Sequence, residues 1–339
     1  MISSSRALEG LMSRSRRTFL TSVGAAIGVS ALGIRTQAQS LTKIRVGTIP
    51  IVDSAPLMIG IAKGFFHDEG LEVDTTPAPG GAALLPSLAA GQFNFAFANT
   101  TSALLAIGEG LEFKFVTAGC STAAKGPDLA GLMARIDGGI NSGKDLAGKR
   151  VAVNNRNNIM WIRAAAWVDE TGGESGRVTF VEIPFPQMVD ALVSNQVDAA
   201  MVNEPFLTVG LQNHSDKVKV VSWPMSDTAP NGVVSEYVAT KDYIAQNPQV
   251  IEKFARAFAH GTDWVLKNKG TPEWEQAVSA YTKIAPDRLR GIALPVYDRV
   301  IEPQKIEDMI NLMRKYKILK ANLNVADLIY PTALKQYTF

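Results

Sequence analysis

Short apolar runs alternate with amphipathic stretches along most of the chain. Lys43–Ile49 (KIRVGTI) and Leu71–Thr76 predict strands, and Pro56–Gly70 between them has the apolar spacing of a helix. "PAPGG" then breaks the chain, and Ala82–Ala90 predicts a helix with a kink or a late start at Pro86. A strand over Phe93–Ala98, a helix over Thr100–Glu109 and a strand over Phe113–Gly119 follow. The second half repeats the plan, with strands ending at Val153 and over Val178–Ile183 and Val197–Val202. Helices over Asn158–Thr171, Gln187–Ser194 and Glu204–Gln212 separate them. Strands alternating with helices predict an α/β fold with a largely parallel sheet. From Asp242 onward the pattern is helical, with start signals at Asn247-Pro248 and Thr271-Pro272-Glu273 and an amphipathic stripe at Ile306, Met309, Ile310 and Met313.

One sentence is stated twice. LAAGQFNFAFANTT (Leu88–Thr101) matches LVSNQVDAAMVNEP (Leu192–Pro205) at a spacing of 104 residues, and Asn94 answers Asp198. Each copy turns from helical spacing to a short apolar run, so the two predict equivalent units in two similar lobes. Each ends at the carboxyl edge of a strand, at Asn99-Thr100 and at Asn203-Glu204, where open α/β sheets bind ligands.

The N-terminus needs separate treatment. "SRSRRTFLTSVGAAIGVSALGIRTQAQS" has twin arginines at Arg16-Arg17, a short glycine-diluted apolar core and small residues before a cut near Ala38. It predicts a cleaved secretory signal of the twin-arginine type over residues 1–38, too short and glycine-rich for a membrane anchor. Those residues hold five of the 34 basic residues and one of the 32 acidic ones, so the remainder, with 29 and 31, carries a net charge of −2. The basic excess thus belongs to the signal, and neither a nucleic-acid patch nor a polybasic membrane motif remains. Cys120 is the single cysteine, which excludes an intrachain disulfide, and its apolar neighbours make it a small core residue.

"DSAPLMIGIAKGFFHDEGLEV", "LAAGQFNFAFANTTSAL", "DLAGKRVAV" and "ALVSNQVDAAMVNEPF" occur in an order and spacing similar to the nitrate/sulfonate/taurine-type periplasmic substrate-binding proteins of ABC transporters, relatives of the thiamine-pyrimidine-precursor binders. The resemblance covers nearly all of the mature chain. It implies a bilobal periplasmic-binding-protein fold of type II, with two α/β lobes joined by two crossover segments and closing around a small ligand. Residues 42–135 with 239–339 form one expected lobe and residues 136–238 the other. Two places depart from the family pattern: the loop before the second-lobe helix is "NNRNNIMW" where Gly and Ser are usual, and Asn203 replaces an aromatic before the acid-Pro pair.

Helix starts converging on such a cleft offer free N–H groups and partial positive charge. Gly80 and Gly81 permit close backbone approach, and Asn99, Thr100 and Thr101 stand at a strand edge, where the threonines either cap a helix or contact ligand. Asn155, Asn157 and Asn158 donate and accept hydrogen bonds, and Arg156 either clamps an anion or is solvated in a turn. Trp161 suits an apolar wall or the core. Asp53 and Glu204 either cap helices or face an amine or amidine, and Tyr237 is placed to close over the ligand. The expected ligand is a small polar organic molecule: sulfonate- or taurine-like, as the resemblance implies, or a zwitterion or amino-heterocycle, as the acids and helix starts together suggest.

Catalysis is poorly supplied. His67, His214 and His260 lie in no metal spacing, and no nucleophile elbow, Walker loop or paired-Cys motif occurs. The expectation is a monomeric, non-enzymatic periplasmic binder with no cofactor, no metal and no nucleic-acid partner, delivering its ligand to an ABC permease. An enzyme on the same fold and a sensor docking a membrane receptor are the alternatives.

Overall fold

The computed structural model describes residues 40–339; the predicted signal over residues 1–38 lies outside them. In chain order the described strands are β1 (Thr42–Thr48), β2 (Leu71–Pro77), β3 (Phe95–Asn99), β4 (Phe113–Ser121), β5 (Ala130–Arg135), β6 (Arg150–Val153), β7 (Thr179–Glu182), β8 (Ala199–Asn203), β9 (Val218–Ser222), β10 (Val233–Thr240) and β11 (Val296–Tyr297). They form two sheets, in the orders β11-β4-β10-β3-β1-β2 and β7-β6-β8-β5-β9.

Both sheets are mixed rather than largely parallel. β1 pairs parallel with β2 and β3, but β10 runs antiparallel between β3 and β4. In the second sheet β6 pairs parallel with β7 and β8, while β5 runs antiparallel between β8 and β9. β10 and β5 are the strands that enter their sheets from a crossover; the short edge strand β11 also runs antiparallel, to β4. Buried on both faces, β5 and β10 show no alternation that assigns a sheet. This corrects the expected boundaries: Ala130–Arg135 belongs to the second sheet and Val233–Thr240 to the first, so the chain crosses within residues 122–129 and 229–232. The crossovers are bonded to each other, with the Thr122 hydroxyl donating to the Ala229 carbonyl at 2.6 Å and accepting from the Gly232 N–H at 2.8 Å.

Two helix expectations also change. Pro56–Gly70 is two helices, Ala55–Ala62 and Phe65–Asp68, because Gly64 turns left-handed between them (φ 82°). The helix Gly81–Ala89 starts early enough to run through Pro86.

The repeated sentence is a repeated structure. Asn94 Oδ1 accepts the Arg45 N–H of β1 at 2.8 Å, and Asp198 Oδ2 accepts the Arg150 N–H of β6 at 2.8 Å. The Arg45 guanidinium donates to the Gly91 carbonyl and that of Arg150 to the Asn195 carbonyl, both at 2.9 Å. Gly91 and Asn195 both turn left-handed, at φ 72° and 62°. The C-terminal helices anchor on the first sheet: Phe254, in the helix Pro248–Asn268, stacks on Phe95 at 3.8 Å between ring centroids and packs against Tyr237.

Candidate functional site

The carboxyl ends of β1, β3, β6 and β8 meet at one cavity. Asp53, Phe97 and Asn99 line it from the first sheet's side, and Asn154, Asn158, Phe185 and Asn203 from the second's. Asp53 lies in the 3-10 turn Val52–Ser54 that follows β1, and Asn99 ends β3. Asn158 caps the helix Ile159–Glu170, its side chain accepting from the Trp161 N–H, and also donates to Asn154 Oδ1 at 2.7 Å.

The two halves touch directly. Asn203 Nδ2 donates to Asp53 Oδ1 at 3.0 Å, and the Ile159 N–H donates to Asn99 Oδ1 at 3.3 Å. Asn99 Oδ1 also takes the Ser102 N–H, so one oxygen caps its own helix and meets the start of the other half's helix. Asn203 is fully buried, and its Oδ1 has no partner among the described residues. A buried amide oxygen without a donor costs stability unless something else supplies one.

Asp53 is the one ionisable side chain of the lining, and burial pushes its pKa up to about 6 against the hydrogen bond from Asn203. Behind it Cys120 is buried at the end of β4, with Sγ 3.7 Å from Asp53 Oδ2. The polar centre is narrow, about 20 Å³, room for roughly one water. It adjoins an apolar cleft of about 300 Å³ that shares Ile49, Ile51 and Phe185 and is walled by Pro50, Pro77, Pro79, Pro184, Pro186 and Phe206.

Other predicted site residues are placed elsewhere. Arg156 and Asn157 are exposed, because Asn157 takes a left-handed turn (φ 56°) just before the cap and aims Arg156 away from the cavity. The Arg156 backbone N–H is held by Glu182 Oε1 at 2.6 Å. Asn155 sits at the rim beside Gly80: a Cβ on Gly80 would lie 2.0 Å from Asn155 Oδ1. Gly81 instead fits against the β3 backbone, where a Cβ would come 3.1 Å from Ala98 Cα. Trp161 rests edge-on against Phe180 and Tyr316.

Thr100 and Thr101 point into the first lobe's interior. The Thr100 hydroxyl donates to both oxygens of the buried Glu236, whose pKa burial raises to about 8, and the Thr101 hydroxyl faces Met309 Sδ. Tyr237 is core, packed on Phe97, Phe254 and Phe258, because β10 is central in its sheet rather than exposed at a junction. Glu204 is outside the cavity lining. It accepts from the Thr208 hydroxyl at 2.7 Å, the Thr208 N–H at 3.1 Å and the Ala293 N–H at 3.3 Å, and burial raises its pKa to about 7.

Asn154 and Asn203 also line the cavity, although the sequence pattern singles out neither as a ligand contact. Neighbours along a strand face opposite sides, so at each strand tip only one residue of a pair reaches the cavity. The repeat itself held the signal, since Asn203 stands 104 residues after Asn99.

Two α/β lobes with strand tips around a shared polar cavity define the periplasmic-binding-protein fold. The aliphatic sulphonate binding protein SsuA of Escherichia coli has it at a TM-score of 0.68 and 12% identity, over 87% of this chain and 99% of that one. The chain belongs to the NMT1/THI5-like family, whose sequence pattern matches residues 51–271. A protein assigned to aliphatic sulfonate binding in Bacillus subtilis (strain 168) is 23% identical over 90% of this chain and 86% of its own length. The riboflavin-binding protein RibY of Chloroflexus aurantiacus is 30% identical over 65% of this chain and 61% of its own.

Proposed function

We propose that the protein is a periplasmic solute-binding protein that captures a small polar organic ligand between its lobes and hands it unchanged to an ABC permease. The carrying observation is the interlobe cavity with Asp53 facing Asn203, whose buried Oδ1 lacks a donor. At about 20 Å³ the polar centre is far smaller than an organic ligand needs, so entry requires the lobes to part at the paired crossovers. The names of the two relatives, one for sulfonates and one for riboflavin, support a binder and leave both ligand classes in view.

The lining favours the amino-heterocycle. It offers one carboxylate and four asparagines and holds no Lys, Arg or His. A sulfonate there meets an acid instead of a cation, whereas an amino group donates to Asp53 and Asn203 Oδ1. The adjoining proline-walled cleft suits an apolar or aromatic remainder. Export through the twin-arginine route accounts for the periplasmic location. Arg16→Lys with Arg17→Lys is expected to strand the precursor in the cytoplasm; undiminished periplasmic accumulation contradicts that route. Mass spectrometry of molecules released by denaturing the purified protein tests the function. The same basic or neutral heterocycle should be recovered before and after prolonged incubation, and conversion of the released molecule would instead mark an enzyme.

A further inference from the structure

A second cavity, about 670 Å³, lies away from the cleft, between Thr228 and the crossover residues 229–232, the helix Ile159–Glu170 and the helix Pro303–Lys315. Arg163 forms part of its wall and is 5% exposed. For a buried guanidinium it is poorly served. Among the described residues its one hydrogen bond runs from Nη1 to the Thr228 carbonyl at 3.4 Å, and Nε has no partner there. The acids that influence it, Glu170 and Asp308, form no ion pair with it among the described residues. Arg163 also stands in the first turn and a half of its helix, where the macrodipole adds positive charge. A buried cation with five N–H donors and no ion-paired acid among the described residues is costly; burial lowers its pKa while the charges of Glu170 and Asp308 raise it, leaving it at about 10, so it stays charged.

The acids on the same wall are already engaged. Glu302 pairs with Lys305 at 2.8 Å, and Asp308 accepts from Gln304 at 2.9 Å. Lys315 is a further cation of the wall. We infer that this cavity is a second ligand site, which takes a small oxyanion, a carboxylate or a phosphate, on the Arg163 guanidinium. Such an anion touches the second lobe's helix, the crossover and the first lobe's helix together, so its binding bears on the hinge independently of which ligand the cleft takes.

Inorganic phosphate at constant ionic strength is the first probe, with sulfate and malonate as the second and third. Titration followed by phosphorus NMR line width and by melting temperature should show saturable binding in the wild type. Arg163→Gln should weaken it at least tenfold, Arg163→Lys less, and Asp53→Asn in the cleft not at all. No saturable binding of any of the three anions overturns the site, as does undiminished binding in Arg163→Gln. Loss of binding in Asp53→Asn also overturns it, because the anion then sits in the cleft. Should Arg163→Gln fail to fold, Lys315→Gln decides: weakening of about threefold or more supports the site, and unchanged affinity overturns it.

Discussion

The two lobes share a frame and differ at its tips. In both, an arginine of the first strand closes the turn before the third, Arg45 on Gly91 and Arg150 on Asn195, and the side chain immediately before that third strand, Asn94 or Asp198, takes the arginine's backbone N–H. At the tips the chemistry diverges. Asp53 and Asn158 stand 105 residues apart after equivalent strands, yet one is a buried acid and the other an amide that caps a helix. Asn99 caps the helix Thr100–Gly108, whereas Asn203 leaves that task to Glu204 and turns its amide across to Asp53. The frame solves a backbone problem that is the same twice; the tips face a ligand that is not symmetric.

Asp53→Asn should break the comparison most strongly by making both tips amides. Losing a charged partner costs about 1.5–3 kcal/mol, roughly ten- to hundredfold in affinity for an amino ligand by titration calorimetry. The charge also sets a pH dependence. As pH falls through about 6 the carboxyl gains its proton, and affinity for such a ligand should drop with it. Stability moves the other way. With its folded pKa raised from 3.8 to about 6, the folded chain keeps the proton longer than the unfolded one, so Asp53 lowers stability as pH rises across that window. Melting curves of Asp53→Asn should lack this component; identical pH profiles would contradict the assignment.

Asn203→Ala comes next, removing the donor to Asp53 and the free Oδ1. Affinity should fall about fivefold, for roughly 1 kcal/mol per neutral hydrogen bond, and an unchanged affinity would remove Asn203 from the site. Asn99→Ala sharpens the contrast between tips: loss of a cap costs about 1 kcal/mol of stability, a shift that the equivalent Asn203→Ala should not share through capping. Glu204→Gln should do least. Its partners are Thr208 and Ala293, so affinity should stay within about twofold of wild type while the melting temperature falls slightly. A large loss of affinity would return Glu204 to the ligand.

Much of the frame was legible because it is local. Apolar runs gave most strands, and the doubled sentence announced the doubled unit. β5 and β10 were assigned to the wrong lobes because sheet membership is a long-range pairing that an evenly buried strand does not advertise. The site was legible only as a neighbourhood. Within the asparagine-rich loop Asn154 and Asn158 line the cavity while Arg156 and Asn157 are exposed beside the left-handed turn at Asn157, a split that the residue types alone do not show. Asp53 is conspicuous in the sequence as an acid after a first strand, whereas Asn203 stands out only as the end of the repeat and as a departure from the family pattern.

A ligand between the lobes is proposed to be held by Asp53 and the facing amides. A crystal structure of the protein with the molecule that mass spectrometry identifies tests it most directly. The ligand's polar end should lie within hydrogen-bonding distance of Asp53 and Asn203, and its apolar part against Phe185 and the prolines of the adjoining cleft. A ligand bound outside the interlobe cavity, or an anionic head placed there without contact to either residue, would contradict it.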